Sequence, residues 1–340
     1  MHFSSNYCVA RAATKLTTEP ADPCVPYEIA MPDFRKIKST ISEAKCKEYK
    51  WHMAQRKIKS DREYQCAQAK GDEMAIGGRD TLPGEFPHMA AIGWASSTGT
   101  WIFKCGGSLI SSNYVLTAAH CIRVSHTDKS VTDPVPKIAR LGDKNIADFS
   151  NGVRPLDVVI TALIRNPQYT PPIKYHDIAL LKLEHPVDFT KYVQPACLWT
   201  HFDTSSLGTE AIITGWGVTE AHSLKTSPEL QAVDLDVVSH ETCQELLKHK
   251  HGRNWWGVNE ATQICAGKLS GGADSCSGDS GGPLQMKINY TVPNQGTLSY
   301  VIGVTSFGFG CALPDTPGIY TRVSYYVPWI ESVVWPEWSI

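Results

Sequence analysis

The pattern of apolar and polar positions along this chain changes near residue 75. Downstream of that point, short runs of alternating apolar residues are separated by glycines, which is typical of the strands of an all-β domain. The clearest strand candidates are residues 88–93, 211–214 and 300–304. Upstream, the chain is rich in proline and lysine instead. We therefore place a domain boundary between Met74 and Ala75.

Two helices are also predicted. Valine and isoleucine recur at helical spacing near the carboxyl end, which predicts a closing helix over residues 325–335. In the upstream part, Thr40 and Glu43 have the spacing of a capping box. Apolar residues then recur every three to four positions, which predicts a short helix over residues 41–57. Because acidic residues are interspersed among its basic ones, we expect a solvated helix face rather than a heparin or membrane patch.

The length of the chain fits one large domain with an extension. A chain of 340 residues can bury a full hydrophobic core. Residues 75–340 have the size of a single all-β unit of two barrels. Residues 1–74 precede it as an irregular propiece that contains the short helix.

Charge and cysteine content exclude several classes of protein. The net charge of -2 gives no electrostatic reason to expect a nucleic-acid partner. No run of about twenty apolar residues predicts a membrane span. Eleven cysteines and a glycosylation sequon at Asn289 favour a secreted, extracellular glycoprotein. The first residues lack a basic start and an apolar stretch, so no signal peptide is recognised, and the natural amino terminus is expected upstream.

Three short strings carry the candidate chemistry of a serine hydrolase. They are TAAHC at residues 117–121, DIAL at residues 177–180 and GDSGGP at residues 278–283. A serine hydroxyl needs an adjacent base to take its proton, and that base needs a partner that fixes its tautomer. We assign Ser280 as the nucleophile, His120 as the general base and Asp177 as its partner. The backbone N–H groups of Gly278 and Ser280 would form the oxyanion hole.

Residues 75–340 resemble the trypsin-like serine proteases of the chymotrypsin family. Besides the three strings above, the resemblance rests on AIGG at residues 75–78, CGGSLI at 105–110, TGWG at 214–217 and PGIYTRV at 317–323. It implies two six-stranded antiparallel β-barrels with a carboxyl-terminal helix. It also implies an endopeptidase that is made as an inactive zymogen and uses no cofactor.

The resemblance further implies a preference for substrates with Arg or Lys before the cut. Asp274 occupies the floor of the specificity pocket, where its carboxylate would pair with a guanidinium or ammonium group. The other positions that match this pocket are Ser275, Ser306, Gly308 and Gly318. Phe307 and Ser277 stand where relatives usually carry tryptophan and glutamine, which leaves the preferences of neighbouring subsites open.

Activation is implied to follow a cut between Met74 and Ala75. In the family, the freed ammonium pairs with the aspartate before the nucleophile, which is Asp279 here. Since alanine replaces the usual isoleucine at the new terminus, we expect the pocket to form less completely after the cut. Because Met74 is not basic, the expected activator has a chymotrypsin-like or elastase-like preference.

The resemblance also implies most of the disulfides. The implied pairs are Cys105 with Cys121, Cys243 with Cys265, and Cys276 with Cys311. A bridge common in relatives is absent, since Ala211 and Met286 occupy its two positions.

One further disulfide is implied to tether the propiece through Cys197. Cys46 is the preferred partner and Cys66 is the second choice. Because eleven is an odd number, at least one of Cys8, Cys24 and Cys66 is expected to be free or to pair between chains.

A narrower resemblance is to arthropod clip-domain proteases of the Snake and Easter type. It rests on the tethered propiece, the non-basic activation bond and the string FPHMAA at residues 86–91. A clip module needs six cysteines, whereas residues 1–74 hold four, so the module is expected to be lost, truncated or diverged.

The narrower resemblance implies limited proteolysis in an extracellular cascade of immunity or development. The partners that it implies are a protein substrate, an upstream activating protease and a serpin-type inhibitor. The alternative is a catalytically silent protease homologue that acts as a binding module.

No metal site is expected. Around Cys243, the candidate zinc ligands are His240, Glu241, His249 and His251. Cys243 is already assigned to a disulfide, which argues against zinc. Asp143 begins a loop that binds calcium in some relatives, yet the later acidic ligands do not line up.

Overall fold

A computed structural model describes residues 20–36, 39–70, 84–147, 155–217, 226–272 and 278–338. The predicted cut between Met74 and Ala75 lies outside the described residues, and so do Cys8, Asp274, Ser275 and Cys276. The domain boundary therefore stays a prediction.

The first barrel consists of six antiparallel strands. They are β1 (Met89–Ala95), β2 (Trp101–Ser111), β3 (Tyr114–Thr117), β4 (Ile138–Leu141), β5 (Leu156–Arg165) and β6 (Ala179–Leu183). The strands close in the order β1-β2-β3-β6-β5-β4. Their inward positions are aliphatic, and Ile92, Leu109 and Leu180 are fully buried. Apolar burial on this scale is the main force that closes the barrel.

The second barrel is formed by the later strands. They are β7 (Cys197–Leu198), β8 (Glu210–Gly215), β9 (Gln231–Val238), β10 (Gln263–Gly267), β11 (Pro283–Lys287), β12 (Ser299–Phe307) and β13 (Gly318–Arg322). Six of them form a ring, because β11 pairs with both β8 and β12. The short strand β7 adds to β12 in parallel. The prediction of two six-stranded antiparallel barrels is therefore confirmed.

The predicted strands and the predicted closing helix overlap observed elements. The three strand candidates fall largely within β1, β8 and β12. Helix α2 (His240–Leu247) lies between β9 and β10. Helix α3 (Val323–Val334) begins two residues before the predicted closing helix and buries Val327, Ile330 and Val334. These residues join the core cluster of the first barrel, so α3 seals that barrel. None of the described helices has the length and apolar character needed to cross a bilayer.

The upstream helix is longer than the sequence pattern predicted. Helix α1 spans Ile41–Lys70, so the predicted end at residue 57 is wrong. The predicted capping box is present, since Glu43 N donates to Thr40 Oγ1 and Thr40 N donates to Glu43 Oε2, both at 3.2 Å. Residues 58–70 lack glycine and proline, so nothing in the local sequence ends the helix earlier.

The prediction of a solvated face fits only the outward side of α1. On the inward side, Met53 is fully buried in a cluster with Cys46, Tyr49 and Leu298. The Tyr49 hydroxyl donates to the Ile110 carbonyl at 2.7 Å. The helix is therefore part of the folded body and not a free linker.

Polar contacts extend the docking of α1 along both of its sides. Arg56 donates to the side-chain oxygen of Gln194 at 2.6 Å. The Tyr290 hydroxyl donates to the Lys50 carbonyl at 3.2 Å. Asn289, the predicted glycosylation site, is exposed immediately beside Tyr290, so a glycan there would stand next to α1.

The described disulfides match the implied pairs and add one. Cys105 is joined to Cys121, Cys243 to Cys265 and Cys46 to Cys197. Cys311 is also disulfide-bonded, although its implied partner Cys276 lies outside the described residues. The additional bridge links Cys24 to Cys66 and fastens residues 20–36 to the far end of α1.

We predict that Met53 contributes strongly to the stability of the folded chain. Met53→Ala should lower the free energy of unfolding by about 2–4 kcal/mol, because it removes a fully buried side chain and leaves a cavity. Met53→Leu, which preserves volume, should cost less than about 1.5 kcal/mol. Urea unfolding of both variants, with exposed Lys59→Ala as a control on the same helix, measures the effect. Equal stability of Met53→Ala and Lys59→Ala would contradict the docking of α1.

Candidate active site

His120 is presented by a short helical turn after strand β3. The turn spans Ala119–Ile122. Within it, Cys121, the residue after His120, is disulfide-bonded to Cys105 on β2. The disulfide therefore fixes the turn against the barrel. The side chain of His120 is 33% exposed, which leaves one edge of the imidazole open to a bound molecule.

Asp177 lies directly opposite this histidine, just before strand β6. One carboxylate oxygen accepts the backbone N–H of His120 at 2.9 Å, and the other lies 2.7 Å from His120 Nδ1. The hydroxyl of Ser306 on β12 donates to the same carboxylate at 2.6 Å. Thr321 on β13 donates to the Asp177 carbonyl at 2.8 Å. Residues from both barrels thus hold one aspartate.

The environment of Asp177 keeps its carboxylate charged. Burial alone would raise its pKa, since the side chain is only 3% exposed. Attraction to His120 and hydrogen bonds from His120 and Ser306 outweigh burial and lower the pKa below its usual value. A charged acceptor at Nδ1 favours a proton on that nitrogen and leaves Nε2 as the available base.

The backbone geometry before Asp177 is also unusual. His176 has a positive φ of 58°, which non-glycine residues rarely adopt. Its Nδ1 lies 2.8 Å from the Tyr326 hydroxyl on α3. This contact fixes the turn that aims Asp177 at His120.

The loop that carries Ser280 is held against the same segments. The Gly281 N–H donates to the Thr305 carbonyl, and the Thr305 N–H donates to the Gly282 carbonyl, both at 2.9 Å. The Gly106 N–H donates to the Ser280 carbonyl at 2.8 Å. Ser280 is therefore fixed between β2, beside Cys105, and β12, beside Ser306.

Glycine is required immediately after the predicted nucleophile. Gly281 has a φ of 76°, and a Cβ there would lie 2.2 Å from Thr117 Oγ1 and 2.7 Å from the Gly106 carbonyl oxygen. The loop thus packs directly against the strand end that leads to His120. No hydrogen bond among the described residues joins the Ser280 hydroxyl to the His120 ring. The role of Ser280 as nucleophile stays a prediction.

Asp279 is enclosed by two glycines of the predicted string at residues 214–217. The Gly217 N–H donates to Asp279 Oδ1 at 2.9 Å. A Cβ at Gly215 or Gly217 would lie 2.2 or 2.5 Å from that oxygen, so a side chain at either position would require the Asp279 carboxylate to move. The predicted ammonium partner at Ala75 lies outside the described residues.

The described residues of the predicted specificity pocket lie together at two strand ends. Phe307 of β12 pairs with Ile319 of β13, which makes Gly308 and Gly318 neighbours. Gly308 is exposed, whereas Gly318 is buried. Ser306 is buried as well, and its hydroxyl is engaged by Asp177. The sequence analysis assigned Ser306 only to the pocket and missed this contact, and it missed Thr321 although the string at residues 317–323 contains it.

One group of potential metal ligands among the described residues lies at this site. Cys105, His120 and Cys121 place their donor atoms within 4.8 Å of one another. Both sulfur atoms belong to the Cys105–Cys121 disulfide and are not free thiolates. The proximity therefore reflects the bridge beside His120 and does not indicate a metal centre.

A buried guanidinium group lies beside Asp143, where the sequence raised the question of a calcium site. Arg140 donates through two nitrogens to both carboxylate oxygens of Asp157, at 2.6 and 2.8 Å. It also donates to the Ile146 carbonyl at 3.3 Å and lies 3.9 Å from Asp143. Arg140 thus places a cation beside both Asp143 and Asp157 in the part of this region that the structure describes.

Comparison with known proteins identifies the class of this fold and site. Residues 75–330 match the family model described as Trypsin. The chain is 38% identical to serine protease snk of Drosophila melanogaster over 317 residues, which cover 90% of this chain and 67% of that protein.

Two further relatives extend the comparison. The chain is 38% identical to serine protease Hayan of Drosophila melanogaster over 257 residues, covering 75% of this chain but only 38% of that protein. It is 35% identical to CLIP domain-containing serine protease C9 of Anopheles gambiae over 268 residues, covering 76% of this chain and 67% of that protein. By the match of its family model and by these relatives, the chain belongs to the trypsin family of serine proteases.

Proposed function

We propose that this protein is a secreted serine endopeptidase, made as a zymogen, that cleaves protein substrates after Arg or Lys. The observation that carries the proposal is the arrangement around Asp177. His120 and Ser306 share its carboxylate, and the loop of Ser280 is hydrogen-bonded to Gly106 of β2 and to Thr305, the residue before Ser306. Such an arrangement has the parts of an acyl-transfer site.

The proposed reaction is a two-step acyl transfer. Ser280 Oγ attacks the substrate carbonyl carbon while His120 Nε2 takes the hydroxyl proton. The N–H groups of Gly278 and Ser280 stabilise the oxyanion, each contributing roughly 3–4 kcal/mol. His120 then returns the proton to the leaving amine. Water completes the cycle by hydrolysing the acyl-enzyme.

Asp274 would select substrates with a basic residue before the cut. Its carboxylate would pair with the incoming guanidinium or ammonium group. Gly308 is exposed beyond the end of β12, and among the described residues a Cβ there would meet only the Gly310 carbonyl oxygen, at 3.5 Å.

The proposed activation requires a cut between Met74 and Ala75. Asp279 is already enclosed at residues 215–217, where a new ammonium group could pair with it. The Cys46–Cys197 bridge and the docked face of α1 would keep the propiece attached after the cut.

A role in an extracellular cascade of immunity or development follows from the similarity to a clip-domain protease and from the retained propiece. In such a cascade, an upstream protease would activate this chain and a serpin-type inhibitor would stop it. Disulfides within both barrels and between α1 and β7 support an oxidising compartment.

The central test is labelling of the activated chain with a fluorophosphonate probe. The chain would be cut at Met74–Ala75 with an elastase-like or chymotrypsin-like protease and compared with its Ser280→Ala variant. We expect labelling of the cut chain only, together with hydrolysis of arginyl and lysyl esters but not phenylalanyl esters. Absence of labelling and of ester hydrolysis in the fully cut chain would support the silent homologue instead.

Ser306 is predicted to act as a positioning residue for His120 through Asp177. Ser306→Ala should lower kcat on an arginyl ester by about 10-fold with KM nearly unchanged, because a hydrogen bond to a charged group contributes about 1.5–3 kcal/mol. Ser306→Thr, which keeps the hydroxyl, should recover most of the rate. A loss confined to KM would assign Ser306 to substrate binding instead.

We predict that folding depends on Arg140 and not on calcium. Addition of EDTA should leave the melting temperature unchanged. Arg140→Gln should lower the free energy of unfolding by about 3 kcal/mol, because it removes a buried cation from a paired carboxylate. Differential scanning calorimetry measures both, with exposed Lys129→Gln as the control. Stabilisation of the native chain by added calcium would contradict this account of the loop.

A further inference from the structure

A short exposed loop beside the catalytic segment has a charge unlike that of the whole chain. Residues 246–258 contain Lys248, Lys250, Arg253 and two histidines but no Asp or Glu. The chain as a whole carries a net charge of -2. Basic residues are therefore concentrated in this stretch of the sequence.

Two of these cations have no acidic partner in the part of the chain that the structure describes. Lys250 and Arg253 are exposed and form no ion pair with any described residue. Lys248 differs, since its ammonium group pairs with Glu245. The charges of Lys250 and Arg253 are thus available to a molecule that approaches from solvent.

The loop is held in a defined conformation. Gly252 and Trp255 form two backbone hydrogen bonds with each other, at 2.7 and 3.3 Å, which places Arg253 at the tip of a tight turn. Trp255 is buried, and its ring packs against Phe309 with centroids 5.3 Å apart. A preorganised surface loses less conformational entropy when it binds a partner.

This loop is also bonded to the segment that leads into Asp177. The Lys174 N–H donates to the Asn254 carbonyl at 2.9 Å. The Tyr175 hydroxyl donates to the Gly257 carbonyl at 2.6 Å and accepts the Trp256 N–H at 3.0 Å. These hydrogen bonds fix the loop relative to residues 174–177, which lead into and include Asp177.

Aromatic side chains connect the loop to the end of strand β12. Trp256 is 62% exposed, and its ring lies over Tyr175 with centroids 4.5 Å apart. The exposed Lys174 places its ammonium 5.4 Å from the ring centroid of Phe307, the residue after Ser306. Lys174, Lys250, Arg253 and Trp256 together form a surface that we call the basic platform.

We propose that the basic platform binds an acidic segment of the protein substrate, on the amino-terminal side of the bond that is cut. The inference rests on the proposed function, in which a substrate chain pairs with residues 306–308. A chain seated there would pass Phe307 and reach Lys174 and the loop. Unpaired cations attract acidic side chains, and the exposed aromatic ring of Trp256 offers apolar contact to a peptide.

The platform would act mainly by raising the rate of encounter and the stability of the bound substrate. Such attraction falls as salt is added, because mobile ions screen exposed charges. We therefore expect the preference for acidic substrates to weaken as salt is added. Binding through shape complementarity alone would not show this dependence.

The test uses two peptides of twelve residues that differ only in charge. Each contains a single arginine, preceded by four glutamates in one peptide and by four glutamines in the other. We expect the cut chain to cleave the acidic peptide with a kcat/KM on the order of 10-fold higher in low salt, and less than about 2-fold higher in 0.5 M salt. Lys250→Gln with Arg253→Gln should remove most of this preference.

A second double variant tests whether the effect comes from the charges of the platform or from the net charge of the chain. Lys129→Gln with Lys182→Gln removes the same charge from exposed positions on other elements and should retain the preference. A short arginyl ester, which cannot reach the platform, measures the catalytic centre separately. Equal cleavage of the two peptides, or equal behaviour of the two double variants, overturns the inference while ester hydrolysis still supports the proposed function.

A binding measurement keeps the two proposals distinguishable. If the cut chain hydrolyses no ester, the proposed function fails. Fluorescence anisotropy of the labelled peptides on the uncut chain then tests the platform alone. At least 5-fold weaker binding of the acidic peptide by the Lys250→Gln, Arg253→Gln variant supports it. Platform-dependent binding of heparin without binding of the acidic peptide overturns it and assigns the surface to a sulfated polysaccharide.

Discussion

The carboxylate of Asp177 is the point on which the rest of the site depends. It lies on the chain between β5 and β6 of the first barrel, yet Ser306 and Thr321 of the second barrel hydrogen-bond to it. A buried carboxylate without partners would be protonated or would destabilise the fold. Because its partners come from both barrels, the contact between the two barrels and the ionised form of Asp177 stabilise each other.

The propiece is a structural part of the protein as well as an attached segment. The sequence pattern predicted the start of α1 well, because the capping box of Thr40 and Glu43 is a local signal. It did not predict how much of the helix is buried, since Ser42, Ala44 and Glu48 are buried as well as the apolar residues that face the barrel. Small and polar residues become buried there because the Cys46–Cys197 bridge brings the helix against the barrel. That constraint spans 151 residues of sequence and leaves no local periodicity.

At the site, too, residues within local sequence strings were predicted, whereas contacts between residues distant in sequence were not. His120 and Asp177 were predicted because each lies in a specific string, and the geometry joins them. The hydroxyl of Ser306 was assigned to the pocket, since its strand position does not reveal that it faces Asp177, 129 residues away in sequence. Arg140 was overlooked because its role depends on Asp157 across a strand pair, a partner that only the register of β4 and β5 defines.

Arg140 and Arg253 show how position decides the role of the same side chain. Arg140 is buried, with both of its carboxylate bonds made to Asp157, so its charge is already neutralised and contributes to stability. Arg253 is exposed at the tip of a turn, with no acidic partner among the described residues, so its charge contributes little to the fold. A rigid turn that holds such a cation beside the segment leading into Asp177 gives no advantage to the folded chain alone. The charge of Arg253 contributes a favourable interaction only when an oppositely charged molecule binds. For this reason we interpret the basic platform as a surface for substrate recognition.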